Sequence, residues 1–129
     1  MAEQIRVLIV DDIPETRDHL SRLLGMEREI DVAGTASSGE EAIQMAMDLR
    51  PDVIVMDINM PGIDGIEALG RIQADERTKA IPVVALTAQA MSGDRERFLE
   101  SGFDGYISKP VDVLEFIQTV AGYFEEDRG

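Results

Sequence analysis

Residues 53–65 read VIVMDINMPGIDG. The first four are apolar and mostly β-branched, which suits a strand covered on both faces. They run directly into Asp57, a charge that burial penalises, and then into a Met-Pro-Gly turn. A core strand that ends on a carboxylate needs a reason, and the rest of the chain supplies one.

The other apolar, β-branched runs are IRVLIV (5–10), IDVAGT (30–35), IPVVALT (81–87) and GYIS (105–108), with DVIVM (52–56) as the run before Asp57. Stretches with helical spacing separate them. Helix 1 is expected to start near Pro14, a good first-turn residue, and to present Leu20, Leu23 and Leu24 before Gly25. Ser38 and Glu41 form a capping box for helix 2, whose inward residues are Ala42, Ile43, Ala46 and Met47. Helix 3 runs from about Asp64 and is expected to bury Ile66, Leu69 and Ile72. Helix 4 spans Asp94 to Ser101, with Phe98 and Leu99 as apolar contacts and Gly102 as terminator. A second box, Asp112 to Glu115, opens helix 5, with Val113, Phe116, Ile117, Val120 and Phe124 on its apolar face. Five strand–helix alternations demand parallel strands joined by right-handed crossovers. The expected fold is a doubly wound α/β domain with helices on two faces of a five-stranded sheet.

At 129 residues the chain is one domain, and 44% hydrophobic content is enough for one core. The expected domain is 1–124, with 125–129 (EEDRG) as an acidic tail. The absence of cysteine excludes disulfides, thiolate zinc sites and thiol catalysis. Apolar runs such as VLIV (7–10) fall far short of the roughly 20 residues of a membrane span, and MAEQIR is not a signal-peptide start. A cytoplasmic location is expected. With 12 basic and 26 acidic residues the net charge is −14, which opposes direct binding to nucleic acid or to an anionic membrane. Acidic surface alone serves solubility; a sharper possibility is that some of it holds a cation.

In a doubly wound sheet, ligands bind at the carboxyl ends of the strands, where strand order reverses. Strand 1 ends in Asp11-Asp12, strand 3 in Asp57, strand 4 in Thr87 and strand 5 in Ser108-Lys109. Three carboxylates at one edge repel by a few kcal/mol per close pair at an intermediate dielectric, so a proton or a cation must relieve them. An all-oxygen set suits Mg²⁺, with Mn²⁺ as a substitute. Lys109 adds a point charge for an anion, and Thr87 a hydroxyl for a phosphoryl oxygen. Together these groups suit phosphoryl transfer onto Asp57. Asp11 and Asp12 also stand where helix 1 needs capping. His19 reads as a surface residue, and Met45, Met47 and Met56 as core.

The chain resembles the receiver domain of two-component response regulators, through VLIVDD (7–12), DINMPGIDG (57–65), ALTA (85–88) and YISKP (106–110) in order. The resemblance implies a flavodoxin-like, chemotaxis-receiver-like sheet of order 2-1-3-4-5. It implies that Asp57 is the phosphoacceptor and that Thr87 and Lys109 grip the phosphoryl group. Mg²⁺ would be held by Asp57, the Asn59 backbone carbonyl and Asp11 or Asp12, or by one of the latter pair through water. Thr87 and Tyr106 would form the switch, Pro110 would be a cis-proline aiming Lys109, and Asn59 and Gln89 would tune phosphoryl lifetime. The implied role is a phosphorelay switch, not a metabolic enzyme. Its donor would be a histidine kinase or phosphotransfer protein, and its target would bind the helix 4–strand 5–helix 5 surface. An aspartyl phosphatase is the competing reading, but such enzymes commonly need a second carboxylate two residues after the nucleophile, and here that position is Asn59. A phosphorylation-independent scaffold is the other; the intact Asp57, Thr87 and Lys109 oppose it.

Overall fold

The unbroken apolar runs form the strands, and the segments with helical spacing form helices between them. The computed structural model describes residues 4–87, 94–108, 112, 114–116 and 118–119. Its elements are β1 (Ile5–Val10), α1 (Pro14–Gly25), β2 (Ile30–Ala36), α2 (Gly39–Leu49), β3 (Val53–Asp57), α3 (Gly65–Ala74), β4 (Val83–Thr87), α4 (Asp94–Glu100) and β5 (Gly105–Ser108). Helical residues at 114–116 and 118–119 mark the fifth helix, α5. The five strands are parallel and ordered β2-β1-β3-β4-β5, the doubly wound arrangement with helices on both faces.

Side chains alternate across each strand, and the core divides accordingly. Leu8, Val10, Ile54, Met56, Val83 and Ala85 face the layer containing Ala42, Ala46, Leu69, Ile72 and Phe98 of α2, α3 and α4. Val7, Ile9, Val53, Val55, Val84, Leu86 and Ile107 face Leu20 and Leu24 of α1 and Phe116 of α5. Every residue of β3 and β4 is buried, which is why these strands show no polar alternation in sequence.

The helix ends follow their capping residues, with one rearrangement. Ser38 accepts from the Glu41 amide at 3.2 Å, but Glu41 Oε1 closes onto the Ser37 N–H at 2.7 Å instead of that of Ser38. Asp112 accepts from the Glu115 amide at 3.0 Å, as the second box requires. Of the expected apolar face of α5, Phe116 is buried; Val113, Ile117, Val120 and Phe124 lie outside the described residues. Helix α1 begins at Pro14 with Ile13 as its N-cap and no side-chain cap.

Five apolar expectations are corrected. Ile66 is 43% exposed, because α3 turns Gly65, Ala68, Leu69 and Ile72 inward, an i, i+3, i+4, i+7 stripe that leaves Ile66 off its edge. Leu99 is also exposed, since Phe98 takes the inward position of α4. Ile43 and Met47 are half-buried, as is Met45; only Ala42, Ala46 and Gly39 of α2 are fully covered. Met56 lies in the core and His19 is exposed.

A polar clamp at the opposite strand edge has no obvious sequence motif. Arg50 closes α2 in the left-handed region at φ 46°. Arg6 Nη1 donates to the Leu49 carbonyl at 2.7 Å, and the Arg6 N–H donates to Asp52 Oδ2 at 2.8 Å. This ties β1 to the corner that launches β3.

The corrected phase of α3 makes a paired prediction. Leu69→Ala is expected to lower unfolding free energy by about 2–5 kcal/mol, whereas Ile66→Ala stays within about 0.5 kcal/mol of wild type. Urea unfolding with unchanged slopes measures both, and equal losses would contradict the helix orientation described.

Candidate functional site

Asp57 is the last residue of β3 and is 5% exposed. The chain leaves it through a tight turn. Asp57 Oδ1 accepts the Asn59 N–H at 3.2 Å, Met60 is buried as an apolar anchor, and Gly62 adopts φ +77°, a conformation that favours glycine. The chain then returns to where it left: the Gly65 N–H donates to the Ile58 carbonyl at 3.0 Å. A Cβ on Gly65 would stand 2.7 Å from the Asp57 carbonyl oxygen and 2.8 Å from Ile58 Cα. The glycine that ends the DINMPGIDG motif thus lets α3 start against the backbone that carries Asp57.

Asp11 follows β1 and is fully buried. Its N–H donates to the Ala36 carbonyl of β2 at 3.1 Å. Its Oδ1 accepts the Ile13 N–H at 2.9 Å, and its carbonyl accepts Arg17 Nη1 at 2.8 Å. Asp12 beside it is half-buried. One carboxylate oxygen from each of Asp11, Asp12 and Asp57 lies within 4.8 Å of the others. Neither Asp11 nor Asp12 is the N-cap of α1, although Asp11 supports the turn before it through Ile13.

This set is all oxygen, compact and partly buried. It suits a hard divalent ion that keeps several waters. The carboxylates that the sequence placed at neighbouring strand ends are therefore brought together.

Thr87 ends β4 and is 2% exposed. In the ladder Asp57 pairs with Leu86, and Thr87 with Ser108. Thr87 continues the alternation of Val83 and Ala85, on the face that carries α2, α3 and α4. Tyr106 packs partly buried against that same layer, its ring 6.2 Å from that of Phe98 and tilted by 50°. Phe98 in turn meets Phe103 edge-on at 6.3 Å, so the Tyr106 ring rests on the aromatic inner face of α4. Asn59 is exposed and lines, with Thr87, Ile66, Arg97 and Phe98, a groove of about 290 Å³ between the start of α3 and α4. Lys109, Pro110 and Gln89 lie outside the described residues.

Two contributors escaped sequence reasoning. Arg17 reaches the site through a peptide carbonyl, which no side-chain pattern announces. Its one signal is a cation in the first turns of a helix, where the macrodipole disfavours it. Arg97 lines the groove and stacks over Phe98 at 5.1 Å from the ring centroid.

The close approach at Gly65 has a measurable consequence. Gly65→Ala pushes a methyl against two backbone atoms and is expected to cost about 1–3 kcal/mol. Gly70→Ala, with nothing within 4 Å of its added methyl, is expected to gain about 0.5–1 kcal/mol from helix propensity. Thermal unfolding of the two variants beside wild type measures both.

The profile of the response regulator receiver domain matches residues 7–121. The polar-differentiation response regulator DivK of Brucella ovis is 45% identical over 86 residues, covering 67% of this chain and 70% of DivK. Among solved structures, the receiver domain of the Francisella response regulator 1452 superposes with a TM-score of 0.85 at 29% identity, covering 96% of this chain and 99% of that one. The chemotaxis protein CheY4 of Vibrio cholerae gives 0.81 at 28% identity, covering 93% and 98%. Among the described residues no helix is long and apolar enough to cross a membrane. A parallel sheet of this order, three carboxylates gathered at its edge and a family match across nearly the whole chain lead to one conclusion: the chain belongs to the response regulator receiver domain family, the signalling switches of two-component systems.

Proposed function

We propose that the chain is a phosphorylation switch in which Asp57 accepts a phosphoryl group from a phosphohistidine donor. The observation that supports this most directly is the buried Asp57 carboxylate at the end of β3, within 4.8 Å of Asp11 and Asp12. An Asp57 carboxylate oxygen attacks phosphorus, the P–N bond to the donor imidazole breaks, and an acyl phosphate forms. Water later attacks the same phosphorus, releasing inorganic phosphate and restoring the carboxylate.

Asp11, Asp12, Asp57 and the Asn59 carbonyl are the proposed Mg²⁺ ligands, directly or through water. An ion held there would supply charge neutralisation for the phosphoryl oxygens. Mn²⁺ fits the same donor set. The chain's own residues do the remainder. The turn at Asn59 and the contact at Gly65 orient the Asp57 carboxylate, and β3 gives it a stiff support. Thr87 and Lys109 bond the phosphoryl oxygens, and Pro110 directs Lys109. Asn59 and Gln89 govern how readily water reaches the acyl phosphate and so set its lifetime.

Phosphorylation converts the singly charged carboxylate to an acyl phosphate of up to about −2, adding roughly one negative charge, and this draws Thr87 toward the phosphoryl group. Tyr106 then moves against α4 through the shared layer with Phe98, which supports a change across α4, β5 and α5. This is a local electrostatic event biasing a two-state surface. The proposed partners are a histidine kinase or phosphotransfer protein as donor and a protein target at that surface. The receiver unit would span 1–124, with 125–129 as an acidic tail.

Incubation with Mg²⁺ and a small acyl-phosphate donor is expected to add one phosphoryl group to the intact protein, read by mass spectrometry. Asp57→Asn abolishes the adduct, and a chelator prevents it. A wild-type protein that stays unmodified under these conditions would overturn the proposal. Thr87→Ala and Lys109→Ala are each expected to slow phosphoryl uptake, by up to about 10²–10³-fold, the scale of losing one preorganised donor. Quenched time courses at fixed Mg²⁺ supply the rates.

A further inference from the structure

We infer that Arg17 is a positioning residue for the cation site: its guanidinium fixes the backbone of Asp11 and so sets the affinity of the three-carboxylate cluster for a divalent ion. This rests on the proposed reading of that cluster as the Mg²⁺ site.

Arg17 is the fourth residue of α1, counted from Pro14. Side chains on a helix lean toward its N-terminus, so Arg17 folds back over the first turn to the residue that precedes the helix. There Nη1 meets the Asp11 carbonyl oxygen at 2.8 Å, while the Arg17 N–H donates to the Ile13 carbonyl at 3.0 Å. Asp11 is thereby held from three directions. Ala36 takes its N–H, Ile13 bonds its Oδ1, and Arg17 bonds its carbonyl. Without Arg17, the peptide group after Asp11 loses the side-chain anchor that fixes its plane. That plane also orients Asp12, the next residue and a second member of the cluster.

The choice of residue is unusual for its place. A cation near a helix N-terminus opposes the macrodipole, and a neutral side chain would sit there more easily. A local preference broken without a local gain points to a role elsewhere, and the bond to Asp11 is where this side chain goes. Arg17 has a second, opposing effect, because its positive charge repels an incoming cation. The two effects differ in sign, so experiment separates them. If orientation dominates, removing Arg17 weakens ion binding; if charge dominates, removing it tightens binding. Groups that orient a metal ligand typically change affinity by about 10–100-fold. The half-buried Arg17 guanidinium opposes the ion only from beyond the Asp11 carbonyl, whereas its bond to that carbonyl fixes a ligand directly. Orientation is therefore the effect assigned to Arg17.

The test is a calorimetric titration of the full chain with Mg²⁺ alone, well below the unfolding temperature. Arg17→Met is expected to raise the dissociation constant about tenfold while circular dichroism shows a folded protein. Phosphoryl uptake by the variant is expected to recover toward the wild-type rate at saturating Mg²⁺, a split that a general loss of stability would not produce. Arg17→Gln, neutral and two atoms shorter, should show the same shift and serves if the Met variant fails to fold. Unchanged or tighter Mg²⁺ binding in the folded variant overturns the inference while leaving the Mg²⁺ site intact. Failure of the wild type itself to bind Mg²⁺ overturns the reading of the cluster and this inference with it.

Discussion

Three carboxylates that approach within 4.8 Å repel one another, and the structure is arranged to hold them there. At an intermediate dielectric each close pair opposes folding by a few kcal/mol. Among the described residues, backbone bonds help to resist that repulsion. Asp11 is bonded through its N–H, its carbonyl and its carboxylate. Asp57 accepts from Asn59 and is pressed by the start of α3. In the proposed reading, the same repulsion that opposes bringing the carboxylates together would favour a cation between them.

The sheet turns this local charge into something the rest of the molecule can feel. Alternation sends Val53 and Val55 to the α1 and α5 side and Ile54 and Met56 to the other. Thr87 and Tyr106 follow the second set, beside Phe98. Under the proposed switch reading, an event at the acidic edge would reach α4 by a short route through β4 and β5. β3 and β4, which end in Asp57 and Thr87, are buried throughout.

Strand number and the residues at the strand ends were legible in the runs themselves, whereas the order came from the family resemblance. Uninterrupted apolar runs admit little besides buried parallel strands, and a polar residue just after such a run must emerge at its end. Asp11, Asp57 and Thr87 were placed by that rule alone. Helix phase was harder to read. Ile66 looked inward by composition, yet the contact of Gly65 with the β3 backbone rotates α3 so that Ala68 and Leu69 face the core. Glu41 bonds Ser37 and not Ser38 for a similar reason: a capping pattern names the residues, while the incoming chain decides which amide is in reach. Arg17 was illegible because its partner is a carbonyl, which every residue carries.

The two-residue period of β3 also bears on how such a chain can change over generations. A single insertion or deletion between Val53 and Met56 would exchange the two faces of everything beyond it. Asp57 would be carried across the sheet into the layer of Leu69 and Phe98, and a core methyl would arrive among the acids. No surface compensation repairs such an exchange, because both destinations are full. Length variation is thereby confined to the loops, above all those at the far end of the strands from Asp57. The distance in sequence from strand start to Asp57 is protected by packing before any selection on chemistry acts.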